Sequence, residues 1–514
     1  MSAHSDGGNS VPPDPIPPNS RNRLLRPGTI SEALRDPAER ERLELPADEA
    51  GRVPVLVELN LRHSGTLGAA ARRLLRIYTR AVLEPALEGG RDRPAPVPVG
   101  ANYYRLWLTP DEVAVLVKAD QARLSDPADR AIYRIWPDFP VYPLIDRSVA
   151  TVKGDAALRS FQASGLGITW AVVDSGVDAA HPHFAQYDNL GGTVVKLHRD
   201  FTGGEHPLSD ATGHGTHVAG IIAGGLPAHP GGKVMVGQHV IDEDNQEQVI
   251  VRVVDDPARL TGVAPQTKLV SLKVIGDDGA SSSSAVIAAL HYVRTELNGD
   301  GKLPRVHGVN LSLGYKFDAE WFAAGQSPLC VEVDRLVRSG VVVVVAAGNN
   351  GYGQVTTDTW GTTRLGLTLT ITDPGNAAEA ITVGATHRDS PHTYGVSYFS
   401  SKGPTGDGRL KPDLVAPGER VTSCAAGEKR DELAGLWGGQ PPPDAAAYVD
   451  DTGTSMAAPH VSGAIAGFLS IRNEFIGRPE TVKRLFCENA TSLGRERYFE
   501  GHGLVDLMRT IQAV

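Results

Sequence analysis

The sequence predicts an α/β fold: a three-layer, doubly wound and mostly parallel sheet, preceded by a small α+β domain. From Val149 onward, short apolar segments alternate with helical segments, as they do where helices connect parallel strands. Most of these apolar segments are continuous runs, which is typical of strands buried on both faces. Functional residues are then expected at the carboxyl ends of the strands.

Composition and charge limit the possible functions. The chain has 514 residues, of which 41% are hydrophobic and 21% charged, and this suits a large core with an appended domain. The formal net charge of −10 argues against nucleic-acid binding, which calls for a basic face. The longest apolar run, Val341–Ala347, is far shorter than the roughly 20 residues that span a bilayer, so we expect no membrane anchor.

Cysteine usage and the N-terminal sequence bear on location. The three cysteines, Cys330, Cys424 and Cys487, lack metal-type spacing and predict neither a disulfide framework nor a zinc site. Residues 1–27 are rich in Pro, Gly, Asn and Ser and predict a disordered tail. Met1–Ser20 has no basic segment followed by an apolar one, as a secretory signal would. We therefore expect a cytoplasmic protein. Secretion would require a route that the sequence does not reveal.

Residues 28–147 predict the small domain and its linker. Its elements are expected in the order strand, helix, strand, helix, strand: Val53–Leu59, Leu67–Leu83, Tyr103–Leu108, Pro110 to about Lys118, and Ile132–Trp136. Thr109, Pro110 and Glu112 form the start signature of the second helix, with Thr109 as N-cap and Glu112 at the capping-box position. The linker that follows, Pro137–Arg147, is punctuated by proline.

Residues 148–514 carry the predicted parallel sheet. Its candidate core strands are Thr169–Val173, Lys268–Val274, Gly308–Leu313, Val341–Ala347 and Ala380–Ala385. Three insertions, near residues 226–260, 351–374 and 428–446, interrupt the alternation. The first two contain β-branched residues and turn signals and predict hairpins. The third is rich in Gly, Pro and charged residues and predicts a surface loop.

The segment Gly453–Leu469 predicts a turn followed by a buried helix. Its apolar residues recur at three- and four-residue steps and form one stripe: Val461, Ala464, Ile465, Phe468 and Leu469. Ser455 is expected at the N-terminal end of this helix, with Pro459 near the first turn, where the cost of proline falls. A serine there suits either an N-cap or a nucleophile whose attack creates an oxyanion.

Three further polar side chains are expected at strand ends or helix starts. Asp174 follows the strand segment Ala171–Val173, His214 begins a second helix of small residues, and Asn349 closely follows another apolar run. Taken singly, Asp174 can be an ordinary turn residue, His214 a histidine packed at a helix end, and Asn349 a residue where a strand passes into a turn. Together with Ser455 they form the set that hydrolysis needs. A histidine must take the serine proton, a carboxylate must fix the imidazole tautomer, and an amide can bind the oxyanion.

The sequence resembles the subtilisin-like serine proteases, the subtilases, from about Val149 to the C-terminus. Four motifs carry the resemblance: Asp174-Ser175-Gly176-Val177-Asp178, His214-Gly215-Thr216-His217-Val218-Ala219-Gly220, Ala347-Gly348-Asn349 and Gly453-Thr454-Ser455-Met456-Ala457-Ala458-Pro459-His460. Their order along the chain, Asp then His then Ser, is that of the family. The resemblance implies a subtilisin-like fold and a serine endopeptidase that hydrolyses peptide bonds through an acyl-enzyme.

The resemblance also implies a role for each site residue. Asp174 would orient the imidazole, His214 would act as general base and acid, Ser455 would be the nucleophile, and Asn349 the oxyanion donor beside the Ser455 N–H. Other histidines of the motifs are expected to pack in the core: His181, His217 and His460. The chemistry implied requires no cofactor, and structural calcium, which is common in the family, has no ligands that the sequence assigns.

A substrate cleft with two edges is implied as well. One edge pairs with substrate backbone and walls the first specificity pocket: Ser312, Leu313 and Gly314. The floor of that pocket is formed by Ala346, Ala347 and Gly348, and the opposite edge includes Ile275, Gly276 and Gly279. These small and apolar linings favour an apolar or permissive pocket. Asp277 and Asp278 on the second edge either favour a basic substrate residue or form a solvated turn.

The small domain resembles, in pattern rather than motif, the inhibitory propeptide of the family, which assists folding and blocks the cleft until it is cut away. Its linker carries Pro137, Pro140 and Pro143 and is a poor protease site, so a protease kept latent by a retained propeptide is a consistent hypothesis. The expected partners are protein or peptide substrates and this intramolecular domain, with no nucleic acid and no membrane.

Two alternative functions belong to other classes. A catalytically silent interaction protein on the same scaffold would be expected to lack a member of the triad, and none is lost. An esterase with the same triad on a different fold would show a Gly-x-Ser-x-Gly elbow and the order Ser, acid, His. In this chain the acid and the histidine both precede the serine.

Overall fold

The structure, a computed structural model, describes residues 29–30, 32–35, 47–48, 50–89, 93–99, 102–122, 124, 126–137, 147–227, 234–241, 247–254, 257–299, 304–316, 323–357, 361–436 and 446–514. The chain divides into two compact units, Met1–Pro143 and Leu144–Val514. The predicted disordered tail and residues 138–146 of the predicted linker lie outside the described residues.

The first unit is an antiparallel sheet covered by helices. Its elements are α1 (Glu32–Arg35), β1 (Val53–Leu59), α2 (Leu67–Tyr78), α3 (Glu84–Glu88), β2 (Val97–Val99), β3 (Tyr103–Leu108), α4 (Pro110–Gln121) and β4 (Ile132–Pro137). The strand order is β2-β3-β1-β4, with antiparallel pairing throughout. Leu74 and Leu116, from α2 and α4, are buried in one core with Val55 and Val57 of β1. The arrangement is the β-α-β-β-α-β topology of ferredoxin-like folds.

Local sequence signals predicted most of this unit. The strands Val53–Leu59 and Tyr103–Leu108 have the predicted bounds, and the capping box between Thr109 and Glu112 is present. The predicted β-α-β-α-β order is wrong, because it omits β2. That strand is three residues long, contains Pro98 and is exposed along its length, so no buried apolar pattern marks it.

The second unit has the predicted parallel sheet. Its strands are β5 (Thr169–Asp174), β6 (Arg199–Asp200), β7 (Val234–Ile241), β8 (Glu247–Val253), β9 (Lys268–Lys273), β10 (Gly308–Leu311), β11 (Val342–Ala346), β12 (Tyr352–Thr357), β13 (Gly361–Gly366), β14 (Ile381–His387), β15 (Leu414–Glu419), β16 (Val421–Cys424) and β17 (Ala446–Asp451). The main sheet has the order β15-β14-β11-β10-β5-β9-β6 and is parallel. The strands predicted from sequence match within two residues at each end, while β6 and β15 were not predicted.

Helices cover both faces of this sheet. They are α5 (Arg147–Thr151), α6 (Gly154–Phe161), α7 (His214–Ile222), α8 (Ser283–Tyr292), α9 (Pro328–Arg338), α10 (Pro391–Tyr394), α11 (Gly427–Leu436), α12 (Thr454–Ile471), α13 (Pro479–Glu488), α14 (Arg497–Glu500) and α15 (Leu507–Gln512). Alternate strand residues face opposite layers: Val172 and Val344 pack in a core with α7 and α12, whereas Val173 and Val345 pack with α8 and α9. The predicted three-layer fold is confirmed.

Two of the three insertions contain hairpins, as predicted. Strands β7 and β8 form an antiparallel hairpin that extends the pair β16-β17, and β12 and β13 form another. The prediction of a surface loop near residues 428–446 is wrong for its first part, which forms α11. Leu433 and Ala434 of this helix are buried, and Leu433 packs with Ala447 and Val449 of β17, so apolar side chains anchor a segment whose overall composition is polar.

Candidate active site

The predicted site residues lie at one edge of the main sheet. Asp174 ends β5, Ser312 follows β10, and Asn349 lies three residues beyond β11. These strands are adjacent and parallel, so their carboxyl ends meet at the same edge. His214 is the first residue of α7, and Ser455 is the second residue of α12.

Asp174 and His214 form a close, partly buried pair. Oδ1 of Asp174 accepts a hydrogen bond from Nδ1 of His214 at 2.7 Å, and the carboxylate is fully buried. This contact leaves Nε2 of His214 as the ring nitrogen available for proton transfer. Burial by itself would lower the pKa of His214. The charge of Asp174, its hydrogen bond and the charge of Asp451 outweigh burial, and the pKa is raised above the ordinary value of 6.5.

A second buried carboxylate, Asp210, holds the start of α7 in place. Its Oδ1 accepts from the backbone N–H of Gly213 at 2.9 Å, and its Oδ2 accepts from the N–H of Thr216 at 2.8 Å. The hydroxyl of Ser175 donates to Asp210 at 2.8 Å and accepts from the N–H of Gly215 at 2.9 Å. Because Ser175 follows Asp174, this network ties β5 to the helix that carries His214.

Ser455 is tied to the neighbouring segment by two hydrogen bonds. Its hydroxyl donates to the carbonyl of Ser312 at 3.0 Å, and the Ser312 hydroxyl donates to the carbonyl of Ser455 at 2.8 Å. Pro459 explains why that carbonyl is free, since the residue four positions later in the helix has no N–H to offer it. The N-cap interpretation of Ser455 is wrong. Gly453 is the N-cap residue, and the Ser455 hydroxyl points elsewhere.

His214 and Ser455, both among the described residues, are not hydrogen-bonded to each other in this conformation. The Ser455 hydroxyl has a single proton, and that proton is directed at Ser312. Rotation about the Cα–Cβ bond would redirect it. Such contacts are often long in a free enzyme and tighten when substrate binds.

Asn349 is oriented by Thr454. Its Oδ1 accepts from the backbone N–H of Thr454 at 2.9 Å and from the Thr454 hydroxyl at 3.1 Å. The same hydroxyl accepts from the N–H of Gly348 at 3.1 Å. Because the amide oxygen is held by donors, the Nδ2 group is the end left to donate. It faces Gly453, at the start of the helix that carries Ser455.

Gly314 of the predicted pocket wall and Gly348 of the predicted floor lie against the same residue, Thr372. A Cβ built on Gly314 would lie 3.0 Å from Oγ1 of Thr372, and one on Gly348 would lie 2.6 Å from the same atom. Gly348 also has a φ of +101°, a conformation that favours glycine. Ala346 and Ala347 are buried beneath, and Leu313 is half-buried. Thr372 therefore joins the predicted residues Ser312, Leu313, Gly314, Ala346, Ala347 and Gly348.

The opposite edge is a tight turn at the end of β9. Ile275 pairs with Ser281, the N–H of Gly276 donates to the Ala280 carbonyl at 2.8 Å, and Gly279 adopts a φ of +75°. Asp277 forms an ion pair with Lys273 at 2.6 Å, and Asp278 accepts from the Ala280 N–H at 3.0 Å. Both acids form contacts within the turn. This favours the interpretation of a solvated turn over that of a subsite for a basic substrate residue.

The remaining histidines of the motifs are core residues, as expected. His181, His217 and His460 are buried, and each contacts a backbone carbonyl, at 2.8 Å, 3.0 Å and 2.8 Å respectively. Burial lowers the pKa of each to about 4. They are neutral at physiological pH and are distinct in this respect from His214.

Sequence reasoning missed the residues that support the site. Asp210 carried a signal, because an acid before a glycine at a helix start is a capping pattern. Thr454 lies beside the predicted serine but gave no sign of its contact with Asn349. Asp451 and Lys429 form an ion pair at 2.7 Å whose charges act on His214. This ion pair joins α11 to β17, and the sequence pattern does not predict it because the two residues belong to different elements.

Two searches of the described residues bear on metals and membranes. Among those residues, no three His, Cys, Asp or Glu side chains converge as a metal site would require, and no calcium ligand is assigned. The helices in the described part of the chain lack the length and apolar character needed to cross a bilayer.

Comparison with known proteins gives the family. A sequence profile of the subtilase family matches residues 165–504. The chain is 29% identical to an intracellular serine protease of Paenibacillus polymyxa over 370 residues, which are 71% of this chain and 85% of that protein. It is 29% identical to the major intracellular serine protease of Bacillus subtilis, covering 63% of this chain and 75% of that protein. Subtilisin E of the same organism is 28% identical, covering 69% of this chain and 68% of that protein. The chain belongs to the subtilase family and is a serine endopeptidase.

Proposed function

We propose that Asp174, His214 and Ser455 form the catalytic triad and cleave peptide bonds through an acyl-enzyme. Ser455 Oγ attacks the carbonyl carbon, His214 takes the hydroxyl proton and later gives it to the leaving amine, and Asp174 stabilises the imidazolium. Water then attacks the acyl-enzyme by the same path. The observation that carries this proposal is the 2.7 Å contact between the buried Asp174 carboxylate and Nδ1 of His214.

The oxyanion would be held by two donors. One is Nδ2 of Asn349, which its contacts with Thr454 leave free to donate. The other is the backbone N–H of Ser455, at the positive end of α12, for which the described residues provide no acceptor. Donors fixed before the reaction stabilise the developing charge without reorganisation.

The substrate would lie between the Ser312–Gly314 segment and the turn Ile275–Gly279. Gly314 and Gly348 let the Thr372 hydroxyl lie close to both segments, because a Cβ there would be 3.0 Å and 2.6 Å from it, so the predicted pocket would have small walls. A pocket of this kind takes an apolar or small residue before the cleaved bond, in keeping with the permissive specificity predicted from sequence.

The first unit would act as the propeptide. Its β-α-β-β-α-β sheet with packed helices is a compact domain with its own core, which suits a part that folds as a unit. Intact mass measured over time tests whether it stays attached. Prompt and complete loss of residues 1–144 without a trigger would contradict a permanently retained propeptide.

We also propose a cytoplasmic location. Two relatives are named intracellular serine proteases, and the three cysteines are free and buried. Cell fractionation tests this, with recovery in the culture medium as the contrary result.

The decisive experiment compares hydrolysis of an unfolded protein by the wild type and by Ser455→Ala. A peptide library cleaved before and after removal of residues 1–144 then reports activity, latency and specificity together. Cleavage that persists in Ser455→Ala would overturn the proposed mechanism.

A further inference from the structure

The hairpin β12–β13 begins three residues after Asn349. Within it, Gln354 pairs with Arg364 and Tyr352 with Gly366. Side chains alternate along a strand, so Tyr352, Gln354 and Arg364 share one face of the hairpin. The sequence analysis recognised this insertion as a hairpin, and the proposed mechanism does not use it.

This face borders an open cavity of about 620 Å³, lined by Tyr352, Gly353, Gln354, Arg364 and Tyr398. The rings of Tyr352 and Tyr398 meet edge to face, with centroids 5.5 Å apart. They nevertheless remain 41% and 64% exposed. Exposed aromatic side chains around a concavity are typical of binding surfaces, since each offers a large apolar face and a polar tip.

A buried lysine connects the two segments that carry the tyrosines of the cavity. The ammonium group of Lys402 donates to the carbonyl of Gly351 at 3.0 Å and to that of Tyr398 at 2.9 Å. The N–H of Gly351 donates to the Phe399 carbonyl at 2.8 Å. These bonds hold the start of the hairpin against the segment that carries Tyr398, so the two tyrosines are positioned before any ligand arrives.

Arg364 supplies a positive charge to the cavity. Its side chain is exposed, and within the described residues no carboxylate lies at ion-pair distance from it. An exposed guanidinium is suited to bind a carboxylate through two parallel hydrogen bonds. The chain as a whole is acidic, with a net charge of −10, so the positive charge of Arg364 is opposite in sign to the net charge of the protein.

The cavity is within reach of a bound peptide. Three residues of chain span at most about 11 Å, which limits the separation of Asn349 and Tyr352. An extended substrate advances about 3.4 Å per residue. The Cα atom of Tyr352, at the edge of the cavity, therefore lies within about three substrate residues of the bond that Asn349 is proposed to mark.

We propose that this cavity is a substrate subsite for an acidic side chain, Glu or Asp, within three residues of the cleaved bond. The carboxylate binds Arg364, and the aliphatic part of the side chain packs on Tyr352 and Tyr398. The proposal rests on the proposed endopeptidase function and adds a specificity determinant to it.

Position-by-position peptide libraries test the subsite, with kcat/KM as the readout. The wild type is expected to prefer Glu or Asp at one position by about 2- to 5-fold, the range of an exposed ion pair. Arg364→Ala should abolish this preference, and Arg364→Glu should replace it by one for Lys or Arg at the same position. Arg484→Glu, a matched charge reversal on the exposed face of α13, should leave the profile unchanged.

A wild-type profile without an acidic preference, or one that Arg364→Glu does not alter, would overturn the subsite while leaving the endopeptidase function intact. The function itself fails under a different result, namely peptide hydrolysis that does not depend on Ser455. A preference that also changes in Arg484→Glu would reflect long-range charge and would contradict a local subsite.

Discussion

At the scale of single residues, Asn349 shows how one side chain serves both structure and chemistry. Its oxygen is held by the N–H and hydroxyl of Thr454, and its nitrogen is left free. The backbone of the nucleophile helix thereby orients the amide that is proposed to bind the oxyanion. Reorientation at the moment of reaction is not required.

Asn349→Ala should lower kcat by about 10²- to 10³-fold with little change in KM, because the lost hydrogen bond forms in the transition state. This magnitude is the one known for the oxyanion-binding asparagine of subtilisin. We apply it here because the chain belongs to the same family. Steady-state kinetics on a peptide substrate measures it. The adjacent exposed Asn350, changed to Ala, is the control, and an equal loss in both variants would contradict the assignment.

The raised pKa of His214 predicts the acidic limb of the pH profile. The neutral imidazole is the general base, so kcat/KM should rise with pH through a pKa above 6.5. Asp451→Asn removes a negative charge and should shift this limb to lower pH, whereas Lys429→Met should shift it to higher pH.

Both shifts are read from kcat/KM measured across the pH range. Glu474→Gln serves as control, because Glu474 lies beyond the far end of α12 and should leave the limb in place. Shifts in the same direction for Asp451→Asn and Lys429→Met would contradict the electrostatic explanation.

Asp210→Ala should destabilise the second unit. The change leaves the N–H groups of Gly213 and Thr216 and the hydroxyl of Ser175 without their buried acceptor. The expected loss is about 1.5–3 kcal/mol in the free energy of unfolding, as for hydrogen bonds to a charged group. Urea unfolding in a Ser455→Ala background measures it without autolysis. A loss no larger than that in Glu474→Ala would contradict the role of Asp210.

At the scale of elements, helix α12 begins with an exception to helical hydrogen bonding. Pro459 leaves the carbonyl of Ser455 without its usual partner, and the Ser312 hydroxyl takes that place. The helix is thereby joined to the segment after β10. Asn310 extends the junction, donating to the Ser312 hydroxyl at 2.9 Å and accepting from Ser462 of α12 at 2.8 Å.

The approach to β15 contains a buried ion pair that predicts a stability effect. Lys411 donates to Asp413 at 2.6 Å, and both side chains are nearly inaccessible. Asp413→Ala would leave the Lys411 ammonium buried without a counter-charge, which should cost about 3–5 kcal/mol. Chemical unfolding measures this loss, and Asp407→Ala, at an exposed turn acid, is the control. A loss below about 1 kcal/mol would contradict the structural role of the pair.

The sequence predicted strands and helices where local pattern is decisive and failed where contacts are long-range. Continuous apolar runs marked β5, β9, β10, β11 and β14, because strands buried on both faces need no alternation. Helix α11 was not predicted, because the apolar side chains that anchor it, Leu433 among them, lie in a segment that is polar overall. For the site, motifs identified Asp174, His214, Asn349 and Ser455, whereas the contact between Asn349 and Thr454 joins residues 105 positions apart.

At the scale of the whole molecule, the segments predicted as insertions lie outside the main parallel sheet. Two insertions that are far apart in sequence, represented by β7–β8 and α11, meet at β17, with partly buried Val249 and Val251 packed beside Leu433. A third adds the β12–β13 hairpin after Asn349. Such surface additions leave the parallel sheet intact while altering the surroundings of the site, which is how one fold serves different specificities.

The two-unit organisation means that the proposed latency has to be tested in the full chain. The first unit has its own core, and the second contains the whole of the proposed triad. Activity assays should therefore compare the full chain with the chain after brief proteolysis, so that a blocked site is distinguished from an inactive one.

The most direct test of the central claim is covalent labelling by a fluorophosphonate, which reacts with activated serines. The modified residue is located by peptide mass spectrometry in the full chain, before and after brief trypsin treatment. The proposed mechanism predicts a single adduct on Ser455 in the wild type and none in His214→Ala. Labelling at another serine, or undiminished labelling of Ser455 in His214→Ala, would contradict it.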